Sequence, residues 1–330
     1  MTTFAIVGAT GAVGEEVLKV LERRNFSLDK LVLLASKRSA GKSVTFRGKK
    51  IVVEELNEKS FKGVNMALFS AGGSVSLKFA PIAAKAGCVV IDNSSAFRMD
   101  ENVPLVVPEI NAGDIKKHKG IIANPNCTTI ITLMALWPLH RKFGVRRIFA
   151  SSYQAVSGTG AEAIRELERQ VLETVEGKPV TKKVYPYQIS FNVLPQVDVF
   201  LPSGYTKEEM KMENEGRKIM NHPDFKASVT CVRVPVYRAH SVAVSAEFEK
   251  PITPETARAV LRDAEGIDVV DNPEKGEYPT PLDVSGRDNC QVGRIRKDCA
   301  FENGLAFWVV GDQLLKGAAL NAVQIAEMLR

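Results

Sequence analysis

Short apolar runs alternate with longer amphipathic ones over the first third of the chain. Phe4 to Gly8, Leu31 to Leu34, Met66 to Phe69 and Val89 to Ile91 have the length of buried strands, while Glu15 to Arg24 and Lys78 to Ala86 carry apolar residues at helical spacing. Strands that short, joined by connections that long, predict a parallel doubly wound sheet. A further apolar run, Ile121 to Ala123, precedes Thr128 to Phe143, which has helical spacing again. Asn124-Pro125-Asn126-Cys127 therefore lies between a strand end and a helix start.

Beyond Cys127 the strand-like runs lengthen, which marks a second domain. Arg147 to Val156 leads through Gln154-Ala155-Val156-Ser157-Gly158-Thr159-Gly160 into a helix from Ala161 to about Glu176. The proline-punctuated stretch Val180 to Gly204 reads as irregular or interface-forming, because apolar residues recur through it. Thr206-Lys207-Glu208-Glu209 is a capping box for a helix reaching about Asn221. Ser228 to Val236 alternates as a strand, with Arg233 opposing the apolar side, and His240 opens the next strand, which ends at Phe248. Asp312 to Leu329 is expected to be a closing helix that returns to the first domain.

At 330 residues, 45% hydrophobic and 25% charged, the chain holds enough for two domains with a sizeable core. The apolar runs are too short to span a bilayer and no signal segment is evident, so a cytoplasmic enzyme is expected. Five cysteines without a Cys-x-x-Cys pair, and four scattered histidines, argue against a disulfide scaffold and a zinc site. The net charge of +6 is interleaved with acids, which speaks against nucleic acid and suits an anionic cofactor and substrate.

Four features suggest chemistry. Cys127, at a helix N-terminus, has amide N–H groups and a helix dipole that favour a thiolate. Gly8-Ala9-Thr10-Gly11-Ala12-Val13-Gly14 sits between strand and helix, where glycines let the backbone approach a pyrophosphate, although its spacing is G-x-x-G-x-x-G. After the second strand no acid is present for a ribose 2′-hydroxyl, whereas Arg38 with Ser36 and Ser39 suits a 2′-phosphate, favouring NADP over NAD. Arg98, following a strand end, is a candidate anion clamp. Periodicity alone makes Glu208 and Lys211 an exposed ion pair.

Gly8 to Gly14, Asn124 to Thr129, Gln154 to Gly160, Glu208 to Lys211 and Arg233 to His240 together resemble, in order and spacing, the aspartate-semialdehyde dehydrogenase family over essentially the whole chain. The resemblance implies an α/β fold similar to glyceraldehyde-3-phosphate dehydrogenase. A Rossmann domain, 1–127 with 313–330, would bind NADP, and a central α/β domain, 128–312, would carry catalysis and dimerisation. It implies NADPH-dependent reductive dephosphorylation of β-aspartyl phosphate to aspartate semialdehyde, with release of inorganic phosphate, in the biosynthesis of lysine (through diaminopimelate), threonine, methionine and isoleucine. Cys127 would form a thioester, His240 act as acid/base and Gln154 orient the acyl group. Arg98 and Lys211 would take phosphate, Arg233 the substrate carboxylate and Glu208 its amino group. Gly8, Thr10, Gly11, Ala12, Val13, Ser36, Arg38, Ser39, Ser157, Gly158 and Gln313 would contact the cofactor. The resemblance also implies a homodimer or homotetramer. Two alternatives are N-acetyl-γ-glutamyl-phosphate reductase, whose cysteine motif reads differently, and a catalytically silent scaffold, against which the presence of both cysteine and histidine argues.

Overall fold

The computed structural model describes residues 2–330. The chain divides into two compact units, one running up to Asn126 and resuming at Ala318–Arg330, the other Cys127–Gly317.

In the first unit, β1 (Thr3–Val7), α1 (Ala12–Arg23), β2 (Lys30–Ala35), β3 (Ser43–Phe46), β4 (Lys49–Glu55), β5 (Met66–Phe69), α2 (Gly73–Lys85), β6 (Val89–Asp92), a short α3 (Pro108–Asn111) and β7 (Ile121–Ala123) follow in order. The sheet order is β3-β4-β2-β1-β5-β6-β7. Every pairing is parallel except the antiparallel β3–β4 edge. The chain leaves β1 toward β2 on one side and returns through β5 on the other, so the carboxyl ends of β1 and β5 flank the switch point where such sheets bind ligands. The alternation-poor segment Lys49-Lys50-Ile51-Val52-Val53-Glu54-Glu55 conceals β4 from a periodicity reading, and α2 begins earlier than its apolar spacing suggests. The C-terminal helix Leu320–Glu327 belongs to this unit and packs beside α1, β6 and α3. It starts later than expected, because Asp312 accepts N–H groups from Leu314 and Leu315 and a π-type turn, Leu315–Ala319, intervenes.

The second unit contains α4 (Cys127–Phe143), β8 (Val145–Gln154), α5 (Ala161–Val175), α6 (Lys207–Met220), β9 (Lys226–Arg233), β10 (His240–Phe248), α7 (Pro254–Arg262), β11 (Ile267–Val269), β12 (Cys290–Lys297) and β13 (Gly304–Gly311). Its mixed sheet runs β11-β12-β13-β10-β8-β9. Helices α4, α6 and α7 pack against it, and α4 is apolar nearly all round because it is buried through its first three turns. Ile148, Ala150, Ser152 and Gln154 face inward from β8, while Phe149 and Tyr153 are exposed on the other side, where Phe149 stacks on Phe301 and Tyr153 lies against Trp308. β9 corrects the expected face of Arg233: Val229, Cys231 and Arg233 are the buried set, and Thr230 is exposed. The strand also ends at Arg233 rather than Val236, as Pro235 cannot continue a ladder. Among the described residues no helix is long and apolar enough to cross a membrane.

Candidate active site

β8 and β9 are parallel, with Gln154 opposite Arg233, and β10 runs antiparallel to β8 from its first residue, His240. The last residues of two strands and the first of a third therefore meet at one end of the sheet. β13 ends there too, with Gly311 opposite His240, so Gln313 follows at the same end. A Cβ on Gly311 would stand 2.7 Å from Ile131, which brings the first turns of α4 close to this corner.

Cys127 is the first residue of α4 and is half-buried. A Cβ on Gly317 would lie 2.9 Å from that of Cys127, so the π-type turn must carry glycine where it touches the cysteine. Cys231 lies within electrostatic reach of both Cys127 and Glu208, but burial pushes its thiol up to about 12, which leaves it inert.

His240 is fully buried, and its Nδ1 accepts the Ala155 N–H at 3.0 Å. That donor fixes the tautomer: in the neutral ring the proton sits on Nε2. Nε2 has no hydrogen-bond partner among the described residues. Burial, then the Arg233 guanidinium, lower the imidazole pKa to about 3 against an opposing pull from Glu208, so the ring is neutral near pH 7. Its predecessor Ala239 has φ of 70°, a left-handed conformation that L-residues adopt at a cost. Gln313 accepts the Ala239 N–H at 2.8 Å and donates to the Ser157 hydroxyl, while Asp312 pairs with Arg238 at 2.6 Å. The amide of Gln313, expected to contact the cofactor, is thus committed at both ends to holding the histidine strand and the Ser157 turn.

That turn, Val156–Thr159, presses on the site. A Cβ at Gly158 would come within 3.0 Å of Arg233 Nη1 and 3.3 Å of His240 Nε2. From its far side Tyr185 donates to Thr159 Oγ1 at 3.0 Å. Glu166, buried on α5, receives the backbone N–H groups of Lys183, Val184 and Tyr185, which gives the irregular segment a fixed place. Arg233 is 5% exposed and gives Nη1 to the Ala155 carbonyl at 2.7 Å. No carboxylate pairs with it among the described residues, so a buried cation stands without a counter-ion beside a neutral imidazole.

Glu208 and Lys211 are not the exposed pair that spacing suggests. Glu208 is buried; one oxygen accepts the Gln154 amide at 3.2 Å and the other holds Lys211 Nζ at 2.8 Å. Lys211 also reaches Asp198 Oδ2 at 3.3 Å. Ser152 donates to the Gln154 carbonyl oxygen at 3.0 Å, so the amide cannot rotate freely. The spacing missed this because α6 packs on β9 and turns its first residues inward.

In the first unit, Gly8 has φ of 90°, and a Cβ there would stand 2.5 Å from the Ser70 carbonyl oxygen; one at Gly14 would stand 2.4 Å from that of Gly8. No side chain caps α1 at Gly11, which is exposed, while Thr10, Ala12 and Val13 are half-buried around it. A backbone cradle at an uncapped helix start fits a pyrophosphate. Ser36 and Arg38 are exposed and Ser39 buried in the turn after β2. Arg98 is buried and gives Nε to the Asn124 carbonyl at 2.9 Å and Nη2 to that of Asn93 at 3.0 Å, so it binds two strand-end loops together as well as being a candidate anion ligand. Sequence reasoning passed over Tyr185, Glu166 and Asp198, whose placement depends on long-range contacts.

Residues 3–118 match the family described as semialdehyde dehydrogenase, NAD binding domain, and residues 136–316 the semialdehyde dehydrogenase dimerisation domain. The aspartate-semialdehyde dehydrogenase of Aquifex aeolicus is 59% identical over 98% of this chain and 97% of its own length. The crystal structure of aspartate semialdehyde dehydrogenase II complexed with ASA from Vibrio cholerae superposes with a TM-score of 0.97 at 47% identity, covering 100% of this chain and 98% of that one. A more distant structure, that of the Candida albicans enzyme with NADP, gives a TM-score of 0.78 at 25% identity over 100% and 98% of the two chains. With a two-domain match and near-complete coverage at this identity, the chain belongs to the aspartate-semialdehyde dehydrogenase family.

Proposed function

We propose that the chain interconverts β-aspartyl phosphate and aspartate semialdehyde, with NADP as cofactor and inorganic phosphate as second substrate. The observation that carries this reading is the buried Arg233 guanidinium, which lacks a carboxylate and lies beside the Nε2–H of a neutral His240. A substrate carboxylate supplies the missing charge, and the arginine fork fixes its orientation.

Cys127, at the start of α4, attacks the acyl carbon as a thiolate stabilised by the helix N-terminus. The carbon–oxygen bond to phosphate breaks, phosphate leaves toward Lys211, and a thioester remains on Cys127. The nicotinamide, when bound, supplies the hydride that reduces this thioester, after which the carbon–sulfur bond breaks, releasing the aldehyde and returning the Cys127 thiolate. Glu208 accepts from the substrate ammonium, and Gln154 holds the acyl group in line. His240 donates its Nε2–H to the acyl oxygen as negative charge grows there. Because Nδ1 is taken by the Ala155 N–H, any exchange of a proton between the ring and the substrate passes through Nε2. Arg38 and Ser36 suit a 2′-phosphate, which favours NADP. Ser157 and Gly158 border the nicotinamide end of the site in this reading.

The exposed sheet face bearing Phe149 and Tyr153 is the surface on which a homodimer would form, in keeping with the dimerisation domain matched over this unit. A catalytic thiolate is kept reduced in the cytoplasm, which supports that location for the enzyme. The test is phosphate-dependent formation of NADPH from aspartate semialdehyde. No turnover without phosphate, and none with the longer N-acetylated glutamate semialdehyde, is expected; equal rates on the two aldehydes would overturn the substrate assignment.

A further inference from the structure

We infer that Asp198 is a positioning residue that sets the site's affinity for inorganic phosphate by competing with it for the Lys211 ammonium. This rests on the reading of Lys211 as a phosphate ligand.

The two carboxylates on Lys211 differ. Glu208 holds it at 2.8 Å, is buried, and has its other oxygen tied to Gln154. Asp198 sits at 3.3 Å with 35% of its side chain exposed, and its second oxygen accepts the N–H of its neighbour Val199 at 2.8 Å. The first contact is built into the site, and the second is exchangeable. One ammonium shared by two carboxylates carries no surplus positive charge for a phosphate dianion. An arriving phosphate must displace one of them, and the longer, more exposed contact yields at lower cost.

The backbone supports a dedicated placement. Asp198 has φ of 68°, in the left-handed region, and its carbonyl accepts the Gln196 amide at 3.2 Å. Aspartate and asparagine are the non-glycine residues that tolerate this conformation best. Lys211 is the only basic side chain that pairs with Asp198 among the described residues.

Asp198→Asn keeps the size, the left-handed backbone and an acceptor for the Val199 N–H, and removes the charge together with the Oδ2 acceptor that Lys211 uses. In phosphate-dependent oxidation of aspartate semialdehyde, the KM for phosphate should fall about fivefold at low ionic strength and by less in high salt. The KM values for aspartate semialdehyde and NADP, and the melting temperature, should hold; a purely structural role would move these instead. Lys211→Ala is assayed in parallel and should raise the phosphate KM, and in that background Asp198→Asn should have no further effect. An unchanged or higher phosphate KM in Asp198→Asn, with Lys211→Ala behaving as expected, overturns the role of Asp198 alone. A fall that persists without Lys211 overturns action through the lysine. If Lys211→Ala leaves the phosphate KM unmoved, the assignment of Lys211 itself is overturned and this inference with it.

Discussion

Two of the glycine turns that precede helices in this chain, those before α1 and α5, lie in different units and use glycine for opposite ends. The turn before α1 keeps side chains away: Gly8 and Gly14 are closed in by backbone, Gly11 is exposed, and the helix start is left uncapped. The turn before α5 is instead packed with the protein's own functional groups, since Gly158 rests on Arg233 and His240 while Ser157 and Thr159 are held by Gln313 and Tyr185. The first turn makes room for a ligand to meet main-chain amides. The second makes room for a buried cation and an imidazole to lie against the turn. Glycine-rich spacing alone cannot distinguish these uses; what surrounds the missing Cβ does.

The sharpest contrast comes from removing the nucleophile that only one of the two regions serves. Cys127→Ser should reduce turnover by about four orders of magnitude while leaving NADP affinity and melting temperature unchanged, as steady-state rates and cofactor titration will show. A serine variant keeping a tenth of the activity would contradict the thioester route. Gly158→Ala should lower kcat/KM about a hundredfold or more with the melting temperature little changed, because its methyl group wedges between Arg233 and His240. Gly14→Ala should do the reverse and impair folding, read as lost thermal stability, because it drives a methyl group into the Gly8 carbonyl. Arg38→Ala should cut the NADP-to-NAD ratio of kcat/KM about tenfold; an unchanged ratio would remove Arg38 from 2′-phosphate recognition.

The smallest effect is on acid stability. The folded-state pKa of His240 lies at about 3, below its ordinary value of 6.5, so between these values the unfolded chain binds the proton and the folded chain does not. The associated stability is fully present above pH 6.5 and is lost as pH falls toward 3. At pH 5 the loss is about 2 kcal/mol, and His240→Asn should show a correspondingly flatter melting temperature between pH 7 and pH 5.

Elements governed by local rules were legible in the sequence. The capping box at Thr206 and Glu209 forms with both of its hydrogen bonds, and the strand from His240 to Phe248 has the expected bounds and inward face. What could not be read depends on partners distant in sequence. β4 finds its place by pairing with β2 and β3, and the inward face of Arg233 is set by the helices on that side of the sheet. Motif resemblance supplied Gln154, Glu208 and Lys211 as candidates, but not the hydrogen-bond chain that links them, nor Asp198 at its end. The doubly committed amide of Gln313 was equally invisible, because Ala239 and Ser157 lie far from it in sequence.

The contact between Cys127 and Gly317 has a modular consequence. These residues are the first and last of the second unit, so that unit is a domain spliced into a host chain with its two ends side by side. Such an insert can be exchanged as a cassette through a single seam, and here the seam lies at Cys127. A graft of 127–317 would transfer Cys127, Gln154, Glu208, Lys211, Arg233 and His240 together, leaving Arg98, the turn before α1 and Arg38 with the host. On the proposed reading, most of the substrate chemistry and the choice of dinucleotide would then be separable traits, divided within one peptide bond of the proposed nucleophile.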